Sequence, residues 1–427
     1  MDKTTRIIRI EVEGILSLLS FGLLISCAAC ENFHDPTLIG SLRRGLADSA
    51  AGGEVFDVTK FGAVPGEKNN VQAFMKTWVA ACKESAGAAR IVIPAGSFLV
   101  GPVVFQGPCK ASPIVVEVHG TVKATTDVSE YSSPEWFSFE EIEGLVITGS
   151  GTFDGQGPKV WKLNDCKTNP DCQHLAASFK FSKVKNAIVE GITSLDSKWF
   201  HFFVYRSSNF TFKDVTVTAP DDSPNTDGIH LSSATGVKIL HTNIKTGDDC
   251  VAIVQDTHDI LVDNVTCGPG HGISVGSLGK WPDDKGSTGV VVQNCVITGA
   301  TNGARIKTWA GPTSGAASNI VFENIEMKDV KNPIIIDQNY GKYKDQPSKW
   351  KLSDIHFRKI KGTSASKVSV SLGCSSLNPC ENIEMADINL TFGGAESESV
   401  CANAKVKQGG VVKPVPCSGS GKIDSGE

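Results

Sequence analysis

From about residue 144 onward, apolar and polar positions alternate in short runs that recur along the chain. Each run begins with a small or polar residue, which is followed by an apolar-x-apolar stretch. A polar residue comes next, and after it apolar residues alternate with other residues again. The runs start at Asn186, Asn209, Gly236, Asp259, Gly289, Asn319, Asp354 and Asn382. Successive starts are 23, 27, 23, 30, 30, 35 and 28 residues apart, so the pattern predicts one strand-rich unit per interval.

A strand pattern that repeats at this period, with no helical stretch in between, is typical of a solenoid. Leucine-rich repeats would carry a fixed leucine-asparagine signature, which this chain lacks, and propeller blades would need about 40–50 residues each. The remaining fold is all-β, a single-stranded parallel β-helix whose coils stack about 4.8 Å apart. Apolar residues then face a continuous core, and polar residues one period apart line up on the surface.

A helix is predicted ahead of these repeats. Asn69 and Asn70 are suitable N-cap residues, and Phe74, Trp78 and Ala81 follow at the spacing of one helical face. The pattern predicts a short N-terminal helix that caps one end of the solenoid.

The N-terminus has the pattern of a secretory signal peptide. Lys3, Arg6 and Arg9 form its basic start, and the apolar stretch 14–29 ends in small residues suited to cleavage. An anchor helix is the alternative, but about 16 apolar residues are few for a membrane span. We therefore expect a signal peptide at 1–30, a lead-in segment at 31–52, a β-helix catalytic domain at 53–420 and a tail at 421–427.

Composition narrows the class of protein further. The 427 residues carry a formal net charge of -5, and they include 43 glycines, 40% hydrophobic residues and only 7% aromatic ones. This balance supports a packed core of many short strands and tight turns. The mild acidity disfavours nucleic acid as a partner, but a local basic cluster can still bind an acidic ligand.

Cysteines and sequons both indicate an extracellular protein. Two of the 13 cysteines fall in or beside the signal, and many of the others are close neighbours in sequence. We expect disulfides that join Cys82 to Cys109, Cys166 to Cys172, Cys250 to Cys267, Cys374 to Cys380, and Cys401 to Cys417. Cys295 would remain a free, buried thiol, and no pattern of a zinc site follows the signal. Candidate glycosylation sites are Asn209, Asn264 and Asn389.

Four polar segments would lie side by side on the predicted coils. They span residues 223–230, 246–250, 270–273 and 305–307. Asp227 and Asp248 are 21 residues apart, and Asp248 and His271 are 23 apart, so each gap is about one coil. Because alternate strand residues point the same way, Arg305 and Lys307 share a face.

These residue types suit the hydrolysis of a charged sugar chain. Repulsion among Asp227, Asp248 and Asp249 would raise at least one pKa, which leaves a protonated acid beside ionised bases. Glycoside hydrolysis needs those two states together. The guanidinium of Arg305 and the ammonium of Lys307 would bind the carboxylate of the sugar.

A single aspartate in such a turn is more often structural than catalytic, and it is the conjunction of four segments at coil-like spacing that favours a site. His230, His241 and Asp222 lack that support and are interpreted as structural.

At this point the sequence resembles glycoside hydrolase family 28, the polygalacturonases. The family signatures NTD, GDD, GHG and RIK occur as Asn225-Thr-Asp227, Gly247-Asp-Asp249, Gly270-His-Gly272 and Arg305-Ile-Lys307. A later family tyrosine matches Tyr340, and the segments 57–63 and 147–157 are also similar to the family. The resemblance extends from about residue 55 to 417.

The resemblance implies a right-handed, pectin-lyase-like β-helix and an inverting hydrolase without a metal or organic cofactor. Asp248 would be the general acid, Asp227 and Asp249 would activate the water, and His271 would tune or orient the acids. Substrate would be bound by Asn225, Arg305, Lys307 and Tyr340. Coil spacing alone would separate the Cα atoms of Asp227 and Asp248 by about 5 Å, a short distance that favours a retaining reaction instead.

Within the family, the chain resembles most the plant, pollen-type exopolygalacturonases, partly through residues 121–126 and 270–279. This implies a secreted, extracellular, monomeric cell-wall enzyme that releases galacturonate from the ends of de-esterified pectin. After signal removal no membrane association is expected, and no nucleic acid is expected as a partner. The alternatives are an endopolygalacturonase, a rhamnogalacturonan or xylogalacturonan hydrolase, a Ca²⁺-dependent pectate lyase and a non-catalytic pectin-binding solenoid.

Overall fold

The structure of the protein, a computed structural model, describes residues 53–417 except 167, 170, 171, 173 and 344. The predicted signal peptide, lead-in segment and tail lie outside the described residues. Within them, helix α1 spans Val71–Val79 and is followed by a π-helical turn at Ala80–Glu84. Short 3-10 turns lie at Val58–Phe61, Val128–Glu130, Gly157–Lys159 and Trp161–Leu163.

Short strands make up most of the described chain. The strands before residue 200 are β1 (Glu54–Asp57), β2 (Ala89–Ile93), β3 (Ser97–Val100), β4 (Val103–Gln106), β5 (Ile114–Val118), β6 (Thr121–Ala124), β7 (Glu135–Glu140), β8 (Glu143–Gly149), β9 (Thr152–Asp154), β10 (Ala177–Ser182), β11 (Lys185–Glu190) and β12 (Thr193–Leu195). The strands from residue 200 to 300 are β13 (Phe202–Tyr205), β14 (Ser208–Lys213), β15 (Thr216–Thr218), β16 (Ile229–Ser232), β17 (Thr235–Leu240), β18 (Asn243–Lys245), β19 (Val251–Ile253), β20 (Thr257–Asp263), β21 (Thr266–Cys267), β22 (Ile273–Leu278), β23 (Ser287–Gln293) and β24 (Val296–Thr298). The strands after residue 300 are β25 (Asn302–Trp309), β26 (Ala316–Val330), β27 (Asn332–Tyr340), β28 (Lys351–Ser364), β29 (Val368–Gly373), β30 (Cys380–Phe392), β31 (Ala395–Glu396), β32 (Glu398–Ala402) and β33 (Ala404–Lys413).

The strands pair in parallel with the equivalent strands of neighbouring coils, and only the β30–β31 pair among the described strands is antiparallel. An 11-stranded sheet forms one side of the coils, and it consists of β4, β7, β10, β13, β16, β19, β22, β25, β27, β29 and β32. The other strands form a 22-stranded sheet, to which most coils contribute two strands. The fold is the predicted right-handed parallel β-helix, and the prediction is confirmed.

The residues that begin the sequence repeats lie at one corner of the coils. All eight, from Asn186 to Asn382, have φ between 51° and 71°. Asparagine, aspartate and glycine adopt this left-handed conformation more readily than other residues. Two pairs of neighbouring corners are joined by side-chain hydrogen bonds. The Nδ2 atom of Asn209 donates to the Oδ1 atom of Asn186, and the Nδ2 atom of Asn382 donates to the Oδ1 atom of Asp354, each at 2.6 Å. The residue that starts each sequence repeat therefore marks the position where the backbone turns a corner of the coil.

Aromatic side chains stack between coils in the N-terminal half of the core. The ring centroid of Phe179 lies 4.9 Å from that of Phe202 in the next coil and 6.0 Å from that of Phe137 in the previous one. Helix α1 covers the N-terminal end, where Trp78 stacks on Phe105 with centroids 4.5 Å apart. The predicted capping helix is thereby confirmed.

The detail of the helix cap differs from the prediction. The side chain of Asn69 accepts a hydrogen bond from the backbone N–H of Val71 at 3.1 Å. Asn70 instead turns its amide toward a neighbouring turn, where it accepts from the N–H of Val64 at 2.8 Å. Asn70 is buried and so stabilises the turn rather than the helix.

All five predicted disulfides are present, and Cys295 is a buried free cysteine. The asparagines of the three sequons are exposed, as glycosylation would require, and glycosylation itself stays a prediction. Among the described helices, none has the length and apolar content needed to cross a membrane.

Candidate active site

The predicted site residues lie together on one face of the coils. Most of them lie just before or within four consecutive strands of the 11-stranded sheet. Strands β16, β19, β22 and β25 are aligned through Ile229, Val251, Ile273 and Ala304. Asp227, Asp249 and His271 each precede the aligned residue of their coil by two positions. Arg305 and Lys307 follow it within β25. Successive coils thus bring the carboxyl groups, the imidazole and the two cations side by side.

The alignment shows that the residue one coil away from Asp227 is Asp249 rather than Asp248. The coil spacing predicted from the sequence was therefore one residue short at this point. Asp248 precedes the aligned position and meets different neighbours.

Asp248 is held by groups from three coils. Its Oδ1 atom lies 3.0 Å from the Nδ1 atom of His271 and accepts a hydrogen bond from the backbone N–H of Asp249 at 2.8 Å. Its Oδ2 atom accepts from the Nδ2 atom of Asn225 at 3.2 Å. Burial acts to raise the pKa of Asp248, but the hydrogen bond and charge of His271, together with the charge of Lys307, outweigh it and lower this pKa to about 2. The side chain is 19% exposed, so it remains reachable from solvent.

Asp249 is buried among donors. Its Oδ1 atom accepts a hydrogen bond from the hydroxyl of Ser274 at 2.7 Å, and its Oδ2 atom accepts from the ammonium of Lys307 at 2.8 Å. The guanidinium of Arg305 lies 3.9 Å from Oδ1. Asp249 and Arg305 are each 2% exposed. These partners balance the charge of the carboxylate and fix its orientation.

Asp227 has the environment of a protonated acid. It is 5% exposed, and the Nδ1 atom of His230 lies 2.7 Å from its Oδ2 atom. Burial and the charges of Asp248 and Asp249 raise the pKa of Asp227 well above its usual range. Burial lowers the pKa of His230 to about 4, so this imidazole is neutral above that pH.

The cluster combines three carboxyl groups with several positive groups, namely Arg305, Lys307 and the imidazole of His271 beside Asp248. Arg305 and Lys307 provide two buried positive charges beside three carboxyl groups. Of the three carboxyl groups, Asp227 is the one whose pKa burial and the neighbouring carboxylates raise, so a proton taken up by the cluster would lie there first. The sequence predicted that one pKa would be raised, and the structure identifies whose it is.

Tyr340 lies beside the two cations of the cluster. The centroid of its ring lies 5.3 Å from the ammonium of Lys307 and 5.7 Å from the guanidinium carbon of Arg305. These distances suit cation–π contacts, which hold both cations toward the ring. Every predicted site residue is therefore part of one cluster.

Sequence reasoning missed two members of this cluster. His230 was interpreted as structural, yet it lies against Asp227, whereas Ser274, which binds Asp249, was not considered for the site. The strand register could have identified them, because His230, Ser274 and Arg305 occupy equivalent positions of their strands. His241 and Asp222 are exposed and stay outside the cluster, as interpreted.

An aromatic wall adjoins the cluster on its N-terminal side. The ring of Phe200 stacks on His230 with centroids 4.1 Å apart, and Trp199 stacks on Phe200 at 3.8 Å. His174 stacks on Trp199 at 4.7 Å. These partly exposed rings form a surface on which the face of a sugar ring can lie.

Two groups of side chains were considered as metal ligands. One oxygen each of Asp248 and Asp249 and a ring nitrogen of His271 lie within 4.8 Å of one another. Lys307 already occupies an oxygen of Asp249 with its positive charge, which would repel a second cation. The other group contains Cys166 and Cys172, whose sulfurs are joined as a disulfide and cannot act as thiolates. Neither group fits a metal.

Comparisons with known proteins identify the family of the chain. The sequence model of the glycosyl hydrolases family 28 matches residues 82–411. An exopolygalacturonase from Arabidopsis thaliana is 45% identical over 408 residues, which are 93% of this chain and 93% of that protein. A polygalacturonase from Medicago sativa is 46% identical over 366 residues, which are 83% of this chain and 86% of that protein.

Solved structures agree with the fold. A hyperthermoactive exopolygalacturonase from Thermotoga maritima superposes with a TM-score of 0.68 at 17% identity, covering 88% of this chain and 97% of that one. Endopolygalacturonase I from Stereum purpureum, solved with two galacturonates, superposes with a TM-score of 0.62 at 21% identity, covering 77% and 97%.

Proposed function

Since the chain belongs to glycosyl hydrolase family 28, we propose that it is a secreted exopolygalacturonase, which hydrolyses α-1,4 bonds of de-esterified polygalacturonate from the chain end and releases galacturonate. The observation that carries the proposal is the pair of buried cations, Arg305 and Lys307, beside three crowded carboxyl groups. Relatives named exopolygalacturonase at about 45% identity support the substrate and the exo action.

In this proposal, the cations recognise the acid group of the sugar. The guanidinium of Arg305 and the ammonium of Lys307 bind the galacturonate carboxylate, and the ring of Tyr340 packs against both. Asn225 is exposed beside Asp248, where its amide can also contact the substrate. A neutral sugar would leave the two cations without an anionic ligand, which makes the site selective for acidic chains.

Asp248 acts as the general acid, because its side chain is the most exposed of the three carboxyl groups. Its pKa is low in the free site, partly through the charge of Lys307. A bound galacturonate carboxylate pairs with Lys307, and the substrate covers Asp248; both changes raise the pKa of Asp248. The proton held by Asp227 in the free site is then available to Asp248, which delivers it to the leaving oxygen.

Asp249 and Asp227 act as the base that activates the attacking water. Ser274 and Lys307 hold Asp249 in one orientation, and His230 holds Asp227. Once the proton has moved to Asp248, both carboxylates can accept a proton from water. Attack by this water, with no covalent sugar intermediate, gives inversion at the anomeric carbon. His271 keeps Asp248 in place for the transfer.

Secretion into the cell wall fits the proposal. Five disulfides are suited to an oxidising compartment. The proposed enzyme is a monomer that takes pectin as its partner, and its mechanism involves no metal or cofactor. The sequons at Asn209, Asn264 and Asn389 would then be open to glycosylation.

The function is tested by incubating purified mature protein with de-esterified polygalacturonate while reducing ends and viscosity are followed together. We expect reducing ends to rise with little fall in viscosity, and galacturonate to be the only early product. Mixed oligomers with an early collapse of viscosity would mean an endopolygalacturonase, an alternative supported by relatives named simply polygalacturonase. Absence of new reducing ends across mildly acidic pH would contradict the enzyme and favour a pectin-binding solenoid.

Removal of the His230 imidazole should shift the pH dependence of the reaction. In His230→Ala, water reaches Asp227, and the pKa that burial raises falls back toward its usual value. The shared proton is then lost at lower pH, so the alkaline limb of kcat/KM should move down by about one pH unit. His241→Asn is the control, because His241 is an exposed coil corner with φ 51° that asparagine tolerates. An unchanged alkaline limb would show that Asp227 does not hold the proton.

A further inference from the structure

A cavity lies on the N-terminal side of the catalytic coil. Its volume is about 550 Å³, which is within the usual range for small-ligand sites. Its lining includes Tyr131, Pro134, His174 and Lys198, which precede strands β7, β10 and β13. These three coils stack directly before that of β16, where Asp227 lies. Because each coil advances about 4.8 Å, the cavity begins one coil from Asp227 and extends about 15 Å away.

Lys198 is a buried cation in this cavity. It is 2% exposed, and its ammonium donates to the backbone carbonyl of Gly155 at 2.6 Å and to the hydroxyl oxygen of Tyr131 at 3.2 Å. That hydroxyl in turn donates to the carbonyl of Thr125 at 2.9 Å. Both partners of the ammonium are therefore neutral acceptors.

The ammonium has capacity for one more ligand. It carries three N–H donors, of which two are used, and no described residue places a carboxylate in ion-pair contact with it. A buried charge is normally paired, since removal from water is unfavourable for an isolated ion. The rings of Tyr131 and Trp136 also lie 5.1 and 6.0 Å from the ammonium. An anion in the cavity would give the ammonium the charged partner that these neutral groups do not supply.

The aromatic wall links this cavity to the catalytic cluster. His174 lines the cavity and begins the stack that runs through Trp199 and Phe200 to His230. A sugar chain lying on that wall would pass from the catalytic coil toward Lys198 without leaving protein contact. Lys280 adds a positive charge near both ends of the wall, where it acts on His174 and His230.

We propose that the Lys198 cavity binds the carboxylate of a galacturonate unit that lies on the N-terminal side of the catalytic coil. The proposal rests on the proposed function for the identity of the chain. It gives the groove a second anion-binding point beyond Arg305 and Lys307. A polymer with an acid group on every unit is held at both points, whereas a neutral chain is held at neither.

Binding at Lys198 should depend on pH. Burial lowers the pKa of Lys198 to about 7, against the opposing charge of Asp154. The other titratable groups facing it are Tyr131, whose pKa burial raises, and the cavity residues His174 and Asp165. A lysine is charged below its pKa, so its attraction for a carboxylate is present at pH 5 and is lost as pH rises through about 7.

The experiment uses the full mature protein with Asp248→Asn, so that trigalacturonate binds without being consumed. Its association constant is measured by calorimetry at pH 5 and pH 8.5, with and without Lys198→Met. We expect Lys198→Met to weaken binding about 10-fold at pH 5 and to have little effect at pH 8.5. Lys183→Met is the matched control, because it removes an exposed lysine that is paired with Glu141.

Equal binding with and without Lys198→Met at pH 5, or no binding at all, would overturn the inference. A loss of the same size at both pH values would also overturn it, since that result reflects packing rather than charge. The measurement needs no turnover, so it is separate from the proposed function. Lys198-dependent binding without hydrolysis by the unmutated protein would refute the enzyme alone, whereas hydrolysis without Lys198 dependence would refute the cavity alone.

Discussion

Replacement of Asp248 by asparagine is expected to lower kcat on polygalacturonate by about 10³-fold while KM changes little. Asparagine has the shape of aspartate, and its Oδ1 atom can keep the contact with His271. Its Nδ2 atom can donate to Asn225 once the amide of Asn225 has turned over. The asparagine cannot deliver a proton to the leaving oxygen. Initial rates at several substrate concentrations separate the two constants, and Asp222→Asn, an exposed aspartate outside the cluster, is the matched control.

The raised pKa of Asp227 makes this residue the competing candidate for the acid. The two are separated by an aryl galacturonide whose leaving group needs no protonation. The variant that lacks the acid should regain much of its activity on this substrate, whereas the variant that lacks the base should not. We expect recovery in Asp248→Asn and none in Asp227→Asn, and the reverse pattern would exchange their roles.

The fold could be predicted because its signature is local and repeated. Each coil needs a left-handed corner, and the eight repeat starts that the sequence shows are all residues with positive φ. The apolar alternation that follows each corner faces one core, so period and strand type could be obtained together. The disulfides could also be predicted, since each joins cysteines that are near in sequence or one coil apart.

The sequence predicted which residues form the site, but not which of them are neighbours on adjacent coils. Coils differ in length, so a spacing of 21 residues and one of 22 are equally compatible with one turn, and only the strand pairing selects Asp249 as the neighbour of Asp227. The contact of His230 with Asp227 and that of Ser274 with Asp249 depend on this register. No motif within a single coil contains that information.

The distribution of charge could not be predicted either. The sequence shows three aspartates, but the donors that lower the pKa of Asp248 come from other coils, chiefly His271. The pKa of Asp227 is raised instead, because burial and the charges of Asp248 and Asp249 outweigh the opposing charge of Lys307. Likewise, Lys198 is one lysine among many in the sequence, and only the packing of Tyr131 and Gly155 around it shows a buried cation.

Replacement of Lys307 by methionine is expected to reduce kcat/KM on polygalacturonate by about 10³-fold. The reason is that the same ammonium binds the carboxylate of Asp249 and, in the proposed function, that of galacturonate. It lies 2.8 Å from Asp249. Methionine keeps the apolar volume beside Tyr340 but leaves Asp249 buried with only Ser274 and the more distant Arg305. Both KM and kcat should therefore change.

The same variant should alter the pH profile. Lys307 lowers the pKa of Asp248, so its removal raises that pKa, and the acidic limb of kcat/KM should move to higher pH. Lys328→Met is the control, since Lys328 is an exposed lysine near Glu326 on β26. A rise in KM with kcat and the acidic limb unchanged would mean that Lys307 contacts substrate only. In that case the charge of Lys307 would not influence the protonation of Asp248.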